Sequence, residues 1–209
     1  MRKATLLMLT IPALLIAGES AEAQFHIRKP QLGVYGGFTK PGGEFKDETG
    51  NSWNAGALFK LRLTRTFDIR LDAMYSKLGS RDISVTTGGT AEVRSRSNVV
   101  LGSVLAELNL GPDSAQYPGD NSVSPYINAG PAMYRYTFDV ACTGECGVFI
   151  DENEETKLGL NIGAGANIPF NGIPLFVDLR YHRFKTVFPL SQVENTGKMI
   201  TVSAGFKIR

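Results

Sequence analysis

In "LFVDLRYHRF" (175–184) an aspartate, an arginine and a histidine stand at alternate positions: Asp178, Arg180 and His182. On an extended chain that spacing puts all three on one face. A carboxylate, a cation and an imidazole within reach of one another are the raw material of general acid–base chemistry. A lipid hydrolase would also need a serine nucleophile beside the imidazole, and no neighbouring serine pairs with His182 in the sequence. A histidine held structurally in a polar interior accounts for the same pattern, and that reading is adopted.

Three further stretches carry reactive residue types. "CTGEC" holds both cysteines of the chain, Cys142 and Cys146. In an exported protein two close cysteines are expected to pair as a disulfide, whereas zinc would need ligands beyond a lone C-x-x-x-C. The acidic run "DENEE" (151–155) could attract divalent cations or repel host and phage surfaces. Its residue order is not that of a calcium loop, so a solvated run in an outer loop is expected. "GAGAN" (163–167) lies inside an alternating segment rather than ahead of a helix, so it is no phosphate-binding loop. The residues give no catalytic, cofactor or metal site, and the expectation is a non-enzyme.

The elements that must position these residues begin after an export signal. Met1-Arg2-Lys3 is basic, "ATLLMLTIPALLIA" is an apolar run too short to span a bilayer, and Ala21 and Ala23 form an A-x-A site before Gln24. Residues 1–23 therefore read as a cleaved signal peptide, 24–30 as a periplasmic tail and 31–209 as one domain. The net charge of +2, with no basic stripe, gives no ground for a nucleic-acid partner.

From residue 31 the chain alternates. The clearest segment, "FDIRLDAMYS" (67–76), sets Phe67, Ile69, Leu71, Ala73 and Tyr75 against Asp68, Arg70, Asp72 and Ser76, with Met74 the exception. Similar segments occur at 31–39, 53–64, 97–110, 125–138, 157–168, 175–184 and 199–208, and no helix stands out. Pro131 calls for a bulge or local distortion in the fifth. Eight strands are expected, with tight links after the second (Arg65-Thr66) and sixth ("PFNGIP"), and a longer, turn-rich link after the fourth. Long polar loops are expected after the first, third, fifth and seventh. Short turns at one end and long loops at the other are the asymmetry of an up-and-down transmembrane barrel.

Three features turn the apolar face outward. Gly159, Gly163 and Gly165 share the polar face of one strand, which suits a crowded lumen. Aromatic residues gather near strand ends: Trp53, Tyr75, Phe138 and Tyr181 toward the long loops, Phe67, Phe170 and Phe206 toward the short turns. Strands of about ten residues also match the roughly 25 Å apolar band of an outer membrane. The charged face then lines the lumen, where Lys60, Arg62, Arg70, Lys157, Arg180 and Lys207 are expected to meet Asp68, Asp72, Glu107 and Asp178, with His182 among them. Asp68 and Asp72 are assigned to Arg62 and Lys60 across the tight hairpin, and a plug of ion pairs rather than an open pore is expected. The competing arrangements are a soluble periplasmic, lipocalin-like barrel binding a hydrophobic ligand and a lipid A- or phospholipid-modifying membrane enzyme.

"SPYINAGPAMY" in the fifth segment, "FVDLRYHRF" in the seventh and the closing "ITVSAGFKIR" resemble the small eight-stranded outer-membrane β-barrel family, which includes the OmpA membrane domain, OmpX and Ail-type proteins. The resemblance implies location in the outer membrane of a Gram-negative bacterium, in contact with its lipids and lipopolysaccharide. It also implies insertion by the barrel-assembly machinery, a monomeric state, and a structural or surface-recognition role through outer loops whose partner is unknown. Such barrels usually end on an aromatic residue; here Phe206 is followed by Lys207-Ile208-Arg209, a departure from that pattern.

Overall fold

The computed structural model describes residues 30–43, 46, 50–64, 66–86, 90–111, 122–143, 150–170, 173–187 and 194–208. At 80–86, 90–96, 138–143, 150–153, 186–187 and 194–195 it describes the backbone alone. The expected signal peptide and all of the tail but Pro30 lie outside the described residues.

Eight antiparallel strands follow one another: β1 (Gln31–Gly42), β2 (Gly50–Arg62), β3 (Phe67–Thr86), β4 (Thr90–Asn109), β5 (Ser124–Thr143), β6 (Ile150–Phe170), β7 (Ile173–Val187) and β8 (Glu194–Ile208). Each pairs with the next, and β8 returns to β1 from Leu32↔Ile208 to Gly42↔Lys198, closing a barrel. Closure leaves no unpaired edge in the wall, which a membrane requires.

Local chemistry sets the register. After β2 the amides of Leu63 and Thr64 donate to the Phe67 carbonyl at 3.1 and 3.0 Å, and the Phe67 amide donates to Thr64 Oγ1 at 3.0 Å. This tight turn fixes Arg62 opposite Asp68 and Lys60 opposite Arg70. Pro131 lacks an N–H, and the β4–β5 ladder lapses there between Ser103↔Ala132 and Ala106↔Ala129, then resumes in the same register. The distortion is local and inserts no residue.

Two of the expected long loops are instead mostly strand. The β3–β4 pairing runs out to Thr86↔Thr90, and the β5–β6 pairing to Ala141↔Ile150. The "DENEE" run is therefore part of β6, not a loop. The physical reason is that backbone groups make the ladder, and polar side chains in water do not interrupt it. The hydrophobic alternation ends where the apolar surroundings end, while the pairing continues.

The two faces are sorted as in a lipid-embedded barrel. Leu71 and Val177 point outward at 42% exposure each, whereas Asp72 and Arg180 point inward at 5% and 3%. Phe38 and Leu158 are more exposed still, at 76% and 78%. A soluble lipocalin-like barrel would reverse this arrangement, and the burial pattern excludes it.

Candidate functional site: the barrel lumen

The inward side chains of β2, β3, β4 and β7 converge near the short-turn half of the lumen. Lys60 Nζ lies 2.6 Å from Asp68 Oδ2 and 2.6 Å from Glu107 Oε1. Arg62 Nε reaches Asp68 Oδ1 at 3.4 Å, and Asn109 Nδ2 donates to the other oxygen of Asp68 at 2.8 Å. Arg70 is the hub: it lies 2.7 Å from Asp72, 3.0 Å from Asp178 and 3.5 Å from Glu107. Arg180 pairs with Asp178 and reaches Asp72 at 3.4 Å, so β3 and β7 are tied together across the lumen. All of these groups are buried, and charges so placed persist only when paired and hydrogen-bonded.

Among the described residues, five buried cations (Lys60, Arg62, Arg70, Arg180 and Lys207) face four buried carboxylates (Asp68, Asp72, Glu107 and Asp178). Lys207 makes no ion pair among the described residues. It donates to Asn167 Oδ1 and lies over the rings of Phe176 and Tyr126, 5.3 and 5.6 Å from their centroids. Arg70 also lies over Phe176, and Arg180 over Tyr35. Ring faces and an amide thus hold the cation left over from the carboxylates.

Besides that of Lys207, three assignments are corrected. Asp72 does not meet Lys60 or Arg62; it sits opposite Leu58 in the β2–β3 register and pairs with Arg70 and Arg180. Lys157 lies outside the buried network. It is half-buried toward the long-hairpin end and pairs with Glu155 at 3.4 Å, because its strand position lies above Gly159 and Asn161. His182 is fully buried, with Nδ1 3.2 Å from the Tyr134 hydroxyl and Nε2 3.1 Å from Thr201 Oγ1. It joins hydroxyl groups rather than the ion pairs.

The other half of the lumen lacks the buried ion pairs. Toward the long hairpins, Met74, Leu78, Val99, Leu101, Tyr134, Tyr136, Phe184 and Met199 form a buried apolar cluster that the expected ionic plug did not include. Tyr134 stacks on Phe184 with centroids 4.4 Å apart, and the Tyr136 hydroxyl donates to Glu155. The signal in the sequence was Met74, the one apolar residue on the charged face of its segment. The lumen glycines make room for rings in both halves. A Cβ at Gly159 would lie 2.8 Å from the Tyr134 ring, and one at Gly165 would lie 2.5 Å from the Tyr126 hydroxyl.

On the outer wall Trp53, Tyr75, Tyr181, Phe170 and Phe206 are exposed, and Phe67 is partly so. Trp53 packs on Tyr75 with centroids 5.6 Å apart, and Phe38, opposite Trp53, adds an aromatic that the girdle assignment omitted. The side chains of Phe138 and Cys142, and all of Cys146, lie outside the described residues, and the disulfide expectation lies there with them.

The closed eight-strand barrel has counterparts among solved structures. Neisserial surface protein A (NspA) is similar over 87% of this chain and 97% of its own, at a TM-score of 0.52 and 14% identity. The fold is that of a small outer-membrane barrel. Ail of Yersinia pestis, in complex with the heparin analogue sucrose octasulfate, is similar over 87% of this chain and 100% of its own, at 0.49 and 11% identity. The N-terminal β-barrel domain of Pseudomonas aeruginosa OprF is similar over 85% and 97%, at 0.46 and 17% identity. No family model matches the sequence, and no curated protein matches it. Within this barrel no group of three or more His, Cys, Asp or Glu is arranged to hold a metal ion, among the described residues.

Proposed function

We propose that the protein is a non-enzymatic, integral outer-membrane barrel with an occluded lumen, whose paired hairpins meet the cell's surroundings in a structural or surface-recognition role. The observation that carries this reading is the inverted burial: apolar side chains outside, buried charges within. His182 supports a structural role for the lumen, since it is enclosed by Tyr134 and Thr201 and has no path to a lipid substrate at the wall. Membrane fractionation followed by heat-modifiable migration on a gel tests the assignment. Leu71→Arg puts a cation against lipid at a cost of about 2–4 kcal/mol, so the folded, heat-modifiable band should be lost. A variant that still folds in membranes would refute the orientation.

A further inference from the structure

One rung of the outer wall breaks the pattern by which the barrel handles its charges. Toward the long hairpins, Tyr181 and Ile200 face each other across β7 and β8. On the next rung outward, Arg183 faces Lys198. Both point away from the lumen, since their neighbours His182, Phe184, Gly197 and Met199 are the buried ones. Lys40 of β1, opposite Ile200, adds a third outward cation beside Lys198. Like charges directly opposite on a sheet repel, and a fold normally offsets them. The same wall does so elsewhere: Arg135 on β5 carries Glu154 of β6 as its partner. Among the described residues, no carboxylate side chain is paired with Arg183, Lys198 or Lys40.

We propose that Arg183, Lys198 and Lys40 form a binding site for the phosphate group of a membrane lipid, seated at the outer rim of the barrel. The site rests on the membrane reading above. The surroundings fit a lipid better than a free ion. Directly below the cations lies an apolar skirt of Tyr181, Ile200 and Phe38, and Arg183 is flanked by Leu160 across β6. Acyl chains would lie along this skirt while the phosphate sits on the rung above. Lys198 faces Gly42 across the β1–β8 seam, so no side chain stands directly opposite it on that side. Arginine supplies a planar fork for phosphate oxygens, and the lysines supply point charges on either side.

The test uses the refolded full-length chain in phosphatidylcholine nanodiscs doped with bisphosphorylated lipid A, with dephosphorylated lipid A, or with neither but with inorganic phosphate in solution. Bound lipid is counted by native mass spectrometry. Wild type should retain the phosphorylated lipid over the dephosphorylated one, and Arg183→Gln/Lys198→Gln should weaken that retention by roughly tenfold to thirtyfold. Lys77→Gln, an outward cation opposite Trp53, should leave it unchanged. Equal retention by the double variant, equal retention of the dephosphorylated lipid, or binding of inorganic phosphate without lipid preference would each overturn the site. If the protein remains heat-modifiable, such a result leaves the barrel reading intact. Refolding in buffer without detergent or lipid would remove both.

Discussion

The lumen is filled twice, by opposite means. In the half near the short turns, carboxylates and cations neutralise one another around Arg70; in the half near the long hairpins, Leu101, Tyr134, Phe184 and Met199 exclude water by contact. The ionic layer is the more exposed to error. Each of its members was taken out of water at a cost of several kcal/mol, and hydrogen-bonding capacity remains at Asn128, Asn161 and Arg180 Nη1, which find no protein partner among the described residues. The apolar layer asks only for volume and shape. One layer is therefore sensitive to the loss of a charge and the other to the loss of bulk.

The largest effect is expected from breaking the ionic layer at one point. Asp72→Leu leaves Arg70 and Arg180 each short of a carboxylate, and should lower stability by about 3–5 kcal/mol, read as the urea midpoint of the barrel refolded in vesicles. Leu101→Ala removes bulk from the apolar layer, and a loss of about 2–4 kcal/mol is expected by the same measurement. A smaller change tests the hydroxyl cluster that flanks both layers, where Asn54 and Ser76 donate to Thr39 Oγ1 at 3.1 and 2.8 Å. Thr39→Val should cost about 1–3 kcal/mol, because two buried donors lose their acceptor.

Conductance sharpens the contrast. Wild type should show no stable openings in a planar bilayer, and neither should Asp72→Asn, since the apolar layer still lies in series with the loosened ion pairs. Tyr134→Ala/Phe184→Ala should admit ions. Openings in Asp72→Asn with none in the aromatic double variant would place the barrier in the ionic layer instead.

The two layers also differ in how far they could be read from the chain. The wall was legible because a period of two in "FDIRLDAMYS" assigns every side chain a face, and closure preserves that assignment. The Lys60 and Arg62 pairing with Asp68 was legible because a tight turn fixes which residues stand opposite. Contacts of Arg70 with Asp178, and of Arg180 with Asp72, were not: they join β3 to β7 across the lumen, and only the size and tilt of the closed barrel decide who meets there. The apolar layer is not legible because Met74, Leu78 and Leu101 occur on faces that otherwise read as polar. The length of the hairpins was missed because a ladder of backbone bonds leaves no mark in hydropathy.

The seam between β1 and β8 has a consequence for synthesis. Its partners, Leu32 and Ile208, lie at opposite ends of the barrel sequence, so the cylinder cannot shut before its last strand is available. Until then the backbone donors along β1 and β7 would face hydrocarbon unanswered, at several kcal/mol for each group. A chain cut short before β8 has no partly stable resting place in the bilayer, and insertion is all or nothing.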